Sequence, residues 1–254
     1  MIELENISKT YNRGGVTETH IFDNFDMTVG DREFVSIIGS NGSGKTSLLN
    51  IICGSISIDA GKVSLNGEDI TKMPEYKRYR KIGRVYQNPA AGTCPNLTIG
   101  QNMAIADNKG GRFGLARGID KKRLDYYKSE LSCLGLGLED KTDAPVGALS
   151  GGQRQALAMV MATITPIDFL ILDEHTAALD PKTAETIMAL TDSIVRQKKL
   201  TALMVTHNLS YAVNYGDRLI MMHNGRIALD KRGEDKKNTA QSELLGMLSG
   251  LSLA

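Results

Sequence analysis

The chain has 254 residues, 41% of them hydrophobic, enough to bury a core as one large domain or two small ones. Thirty Lys and Arg against 29 Asp and Glu leave a formal net charge of +1, and aromatics total only 5% with no Trp. That balance argues against a protein that holds nucleic acid by bulk charge or on an aromatic platform, and nucleic acid is not an expected partner. The apolar runs are far too short to span a bilayer, and MIELENISKTY lacks the apolar stretch of a secretory signal, so the expectation is a soluble intracellular protein with at most a peripheral membrane role.

In chain order, Ile2, Leu4 and Ile7 alternate with polar residues, as do Phe25, Met27 and Val29 after the turn-like Asn12-Arg-Gly-Gly15, which predicts antiparallel strands. Phe34-Val-Ser-Ile-Ile38 predicts a buried strand that runs into Gly39-Ser-Asn-Gly-Ser-Gly44, and Leu48, Leu49, Ile51 and Ile52 then fall at helical spacing. Val63, Leu65 and Asn66-Gly67 predict a hairpin. Residues 72–84 are basic, and about 95–165 reads mainly as helix, interrupted by the basic, glycine-rich Lys109–Gly114. Residues 72–84 and Lys109–Lys128 are locally basic and read as contacts for lipid headgroups or an acidic loop, or as solvated helical faces. Two buried strands, Phe169–Leu172 and Ala202–Val205, flank a helical segment (Pro181–Arg196), as in a parallel sheet covered by helices. Arg218–Met222 and Arg226–Leu229 predict a closing hairpin, and the tail from Lys231 is charged, then helical. There is no internal repeat. Cys53, Cys94 and Cys133 form no C-x-x-C pair, and each reads as a small buried apolar residue in a reducing compartment.

Gly39-Ser40-Asn41-Gly42-Ser43-Gly44-Lys45-Thr46 matches G-x-x-x-x-G-K-[ST] in the strand-loop-helix setting the motif requires. The glycines let backbone N–H groups converge on a di- or triphosphate at a helix start. Lys45 would reach the β- and γ-phosphates, and Thr46 would place its hydroxyl on Mg²⁺. Asp173 and Glu174 end the strand Phe169–Leu172; Asp173 would hold the metal and Glu174 would act as general base toward water. His207 follows the strand Ala202–Val205 and could orient that water, or simply cap the strand. A GTPase is excluded because Asn108-Lys109-Gly110-Gly111 lacks the aspartate of a guanine reader.

Leu149-Ser150-Gly151-Gly152-Gln153-Arg154-Gln155, between the phosphate loop and the acidic strand, resembles the signature of ATP-binding-cassette (ABC) ATPases. The resemblance covers about residues 2–230. It implies an α/β fold: a P-loop ATPase core whose mixed sheet is flanked by helices, an N-terminal antiparallel β subdomain and an inserted α-helical signature subdomain. The implied domain is 1–230, with core about 1–90 and 165–230 and helical subdomain about 91–164, followed by a tail at 231–254. It also implies ATP and Mg²⁺ as cofactors. Two copies would pair head to tail, each ATP held between the loop of one (Gly39 to Ser47) and the Ser150–Gln153 signature of the other. Tyr11 matches an aromatic that stacks on adenine, the other reading being a core aromatic. Gln87 matches a glutamine that senses Mg²⁺, Asp180 a segment crossing the dimer interface, and His207 a switch histidine.

Two departures stand out: His175 follows Glu174 where most of these ATPases have proline, and Thr46-Ser47 reverses the commoner order. His175 reads as a turn residue or a modulator of hydrolysis. Asp173–Lys182 and Gly83–Thr93 resemble a bacterial subgroup tied to amino-acid-type import, with a permease and a substrate-binding lipoprotein. The chain would then sit on the cytoplasmic face of a bacterial membrane. Export or lipoprotein release is the alternative, and a ribosome- or DNA-acting cassette is disfavoured by the single cassette and the absence of heptads.

Overall fold

The computed structural model describes residues 1–109, 111 and 121–252. Strands β1 (Ile2–Tyr11) and β2 (Thr19–Val29) precede β3 (Phe34–Gly39), α1 (Lys45–Cys53), β4 (Ala60–Leu65) and β5 (Glu68–Asp69). Next come α2 (Glu75–Arg78), β6 (Ile82–Val85), α3 (Ile99–Asp107), α4 (Lys121–Ser132) and α5 (Gly151–Thr163). The chain then alternates through β7 (Phe169–Asp173), α6 (Pro181–Gln197), β8 (Ala202–Val205) and α7 (Leu209–Asn214). It closes with β9 (Arg218–His223), β10 (Arg226–Arg232), α8 (Gly233–Lys237) and α9 (Gln241–Ser252).

Two sheets result. The antiparallel one runs β2-β1-β4-β5, and its β4–β5 turn places Asn66 and Gly67 at positive φ, as a tight hairpin needs. The six-stranded one runs β10-β9-β3-β8-β7-β6, parallel except for β10. Its central strands are apolar on both faces because each face is covered. Val35, Ile37, Ile171, Leu203 and Val205 point to one side and pack with α1 and the antiparallel sheet. Phe34, Leu170, Leu172, Ala202 and Met204 point to the other and pack with α3, α4, α5 and α6. Helix α1 is thus clamped between two sheets, with Leu48, Leu49, Ile51 and Ile52 essentially fully buried. The α/β class, the N-terminal antiparallel sheet and the inserted helical block are those anticipated.

Some expectations fail locally. Only Cys53 is buried; Cys94, in the turn before α3, and Cys133, just beyond α4, are exposed. Residues 72–84 are not one solvated helical face. Arg78 is 4% exposed and donates to the carbonyls of Ile51, Ile52, Thr71 and Met73, closing the C-terminal end of α1. Arg84 lies within β6. In the second basic stretch, Lys109 turns inward and donates to the Ile82 carbonyl at 2.9 Å, and burial pushes its pKa down to about 8. Residues 110 and 112–120 of Lys109–Lys128 lie outside the described residues.

Candidate active site

Strand order builds the site. β8 lies between β3 and β7, and Val205 pairs with both Ile37 and Asp173, so three carboxyl ends finish in one row. In open parallel sheets ligands bind at those ends. Glu174 N–H donates to the Val205 carbonyl at 2.9 Å and Thr206 N–H to the Ile37 carbonyl at 3.1 Å, extending the row into the loops.

The loop after β3 requires its glycines. Gly42 and Gly44 have φ of +80° and +101°, and a side chain at Gly44 would press on the Phe22 ring at 3.0 Å. The β9–β10 turn braces the loop from behind, Gly225 N–H donating to the Ser43 carbonyl at 3.1 Å. Lys45 is buried, and its ammonium donates to the carbonyls of Gly39 (2.7 Å) and Ser40 (2.9 Å). Burial lowers its pKa, and the Glu174 carboxylate opposes that shift. A cleft of about 240 Å³ is lined by Ile21, residues 41–47, Glu174 and His207. It brings together the phosphate loop, an anion-seeking cation, and a carboxylate–imidazole pair.

In that pair the Glu174 carboxylate meets His207 Nε2 at 2.7 Å, with Glu174 mostly buried and His207 half exposed. Glu174 sits at φ +46°, a left-handed conformation that costs a non-glycine residue roughly 1–3 kcal/mol and is stored where the surroundings fix it. Its neighbour Asp173 does not line the cleft; its Oδ2 accepts from Arg84 Nη2 at 2.7 Å. Thr46 is exposed at the first turn of α1, and Gln87 is exposed just past β6. Their oxygens and the Asp173 carboxylate are hard donors of the kind Mg²⁺ takes. Among the described residues no group of three or more His, Cys, Asp or Glu could hold a metal, so an ion there would rely on phosphate oxygens. Tyr11 ends β1 half buried, its hydroxyl 3.4 Å from Ser47 Oγ and the Lys9 ammonium 5.5 Å from its ring centroid.

The signature residues line no part of this cleft. Ser150 caps α5 through a reciprocal pair with Gln153, each bond 3.2 Å. Gly151 lies against Leu179, and any side chain at Gly152 would overlap the Thr183 methyl. Asp180 caps α6 by accepting from Thr183 N–H at 3.1 Å. Ser150 and Asp180 therefore cap two helices packed against each other, and neither residue lines the phosphate-loop cleft.

Two residues near the site were not assigned their places by pattern. His175 is 2% exposed, with Nε2 3.1 Å from Thr191 Oγ1, and burial pushes its pKa down to about 4. It lies in the turn after β7, as read, but buried there as a neutral anchor to α6. Arg84 read only as part of a basic stretch; the available signal was a charged residue inside the apolar run Ile82-Gly-Arg-Val85.

The family model for ABC transporters matches residues 22–177, which include the loop, the signature and the acidic strand end. The chain belongs to the ABC transporter ATPase family. This ABC cassette binds ATP and is an ATPase coupled to transport. It is 44% identical over 245 residues to a tyrosine transport ATP-binding protein of Clostridioides difficile, covering 96% of this chain and 97% of that one. A spermidine/putrescine import ATP-binding protein of Haemophilus influenzae is 35% identical over 91% of the cassette, which spans 57% of that longer relative. Among solved structures, an ABC cassette in its ADP conformation matches with TM-score 0.82 and 26% identity, over 100% of this chain and 98% of that one. A dimeric post-hydrolysis cassette bound to ADP and Pi matches with TM-score 0.77 and 28% identity, over 91% of this chain and 98% of that one.

Proposed function

We propose that this cassette energises uptake of an amino-acid-type solute, tyrosine or a close chemical relative, working as a head-to-tail pair beneath a membrane permease. The observation that carries the import reading is the similarity to a tyrosine transport ATP-binding protein over nearly the full length of both chains. The pairing is supported by the signature residues lining no part of their own chain's cleft, and by the dimeric relative of like fold. Residues 1–230 are read as one ATPase domain with an inserted helical part, and 231–254 as its tail. No helix among the described residues is long and apolar enough to cross a membrane. The cassette would therefore work from the cytoplasmic face through its permease, with a substrate-binding lipoprotein delivering the cargo.

In this mechanism the loop N–H groups and the Lys45 ammonium hold the β- and γ-phosphates. Ser150 and the Gly151–Gln153 helix start of the second copy cover the γ-phosphate, and Tyr11 stacks on the base. Glu174 takes the proton of the attacking water, and His207, 2.7 Å from it, holds that carboxylate in place. Thr46, Gln87 and Asp173 would hold Mg²⁺, which neutralises phosphate charge when bound. Closure needs ATP; hydrolysis and product release reopen the pair.

The test is sedimentation of the Glu174→Gln protein with ATP, expected to give a dimer that the added Ser150→Arg change abolishes while nucleotide still binds. A dimer that survives Ser150→Arg refutes the two-chain site. Membrane pull-down with the Glu174→Gln protein, followed by solute uptake in vesicles, identifies the permease; failure of tyrosine and related amino acids to enter refutes the cargo class.

A further inference from the structure

Arg84 stands at the junction of three segments that the reaction uses, and no step described so far employs it. Its guanidinium donates through Nη2 to Asp173 Oδ2 at 2.7 Å and through Nη1 to Asn50 Oδ1 at 2.9 Å. Nη1 also lies 3.8 Å from Cys53 Sγ, and the guanidinium carbon is 4.8 Å from the Tyr86 ring centroid. The ion pair is secluded, with side chains 8% and 17% exposed. Register explains the contact: Arg84 pairs with Ile171, and Asp173, two residues on, projects from the same sheet face, the one covered by α1.

Such a buried pair adds little to stability, since desolvating both ions offsets much of their attraction. Its consequence is geometric. A carboxylate has two oxygens, and the guanidinium occupies one of them, so Asp173 cannot rotate freely and Oδ1 is left as its accepting edge. The same arginine is fastened to the phosphate-loop helix through Asn50 and stacked on Tyr86, the residue before Gln87.

We propose that Arg84 is a positioning residue for the ATPase reaction: it fixes the Asp173 carboxylate, with one oxygen held back, for the Mg²⁺ that accompanies ATP. This rests on the reading of Asp173 as a metal-side carboxylate. Arg84 does not line the phosphate-loop cleft and acts only through Asp173 and the strand that leads to Gln87. Partners of this kind typically set metal affinity by 10- to 100-fold.

The experiment titrates Mg²⁺ against binding of a fluorescent ATP analogue to the full chain, in EDTA and across Mg²⁺ concentrations, for wild type, Arg84→Met and Arg84→Lys. Arg84→Met is expected to need about ten-fold more Mg²⁺ for half-saturation while its affinity in EDTA stays unchanged. Lys45 and the loop N–H groups bind phosphate without Asp173. Arg84→Lys keeps the charge but loses the fork, and should fall between the two; it reads the same quantity should Arg84→Met fail to fold. Unchanged half-saturation in Arg84→Met, or equal losses in EDTA and Mg²⁺, overturns the proposal. If wild type itself shows no Mg²⁺ dependence, or Asp173→Asn keeps it, the underlying reading of Asp173 fails instead.

Discussion

The neutral histidine next to Glu174 should make the fold acid-sensitive by a calculable amount. His175 Nε2 contacts Thr191 Oγ1 at 3.1 Å, and that hydroxyl spends its single proton on the Ile187 carbonyl at 2.8 Å. The network therefore puts a proton on Nε2, and burial keeps the ring uncharged near neutral pH. Burial alone lowers the ring from its ordinary 6.5 to about 4, with no charged neighbour contributing. A depressed folded-state pKa means stability that is complete above pH 6.5 and lost as pH falls toward 4. At about 1.4 kcal/mol per pH unit, the full span is worth about 3 kcal/mol, and the part between pH 7 and 5 about 2 kcal/mol. Urea unfolding of wild type and His175→Gln at pH 7, 6 and 5 isolates this group, because every other titrating residue is common to both proteins. Wild type should lose about 2 kcal/mol more than the variant across that interval. Parallel pH profiles would refute the buried, neutral assignment.

Glu174→Gln should lower ATP turnover by about 10²–10⁴-fold, measured as phosphate release, with ATP affinity retained; ordinary turnover would remove Glu174 from its role. Lys45→Ala should abolish nucleotide binding by calorimetry, since the ammonium bonded to the Gly39 and Ser40 carbonyls is the cation built into the loop. Arg78→Met should cost about 2–4 kcal/mol in thermal or urea unfolding, because the carbonyls of Ile51, Ile52, Thr71 and Met73 lose a buried charged donor. A variant as stable as wild type would show that water replaces the guanidinium there.

What could be read from the chain was whatever is written locally. Strand, phosphate loop and helix follow one another within Phe34–Cys53, and Phe169–Leu172 and Ala202–Val205 are uninterrupted apolar runs, so Lys45, Glu174 and His207 could be placed by order alone. β6 escaped because Gly83 and Arg84 fill half of a four-residue strand. α7 escaped because only Ala212 of its six residues is buried, leaving no periodic signal. The Arg84–Asp173 pair spans 89 positions and the Arg84–Asn50 bond 34, distances over which no spacing rule operates. His175 was legible as part of a turn, but its burial was not, because Thr191 and the packing of α6 that enclose it lie far along the chain.

The missing side chain at Gly152 has a mechanical corollary. With nothing between α5 and Thr183, the helices beginning at Ser150 and Asp180 share a seam with no slack, so a tilt at either start is transmitted to the other. In the proposed two-copy assembly, the signature helix start and the Asp180 helix start of one copy would swing toward its neighbour as a single lever. Half-seated arrangements, in which one arrives without the other, would have no stable geometry to occupy.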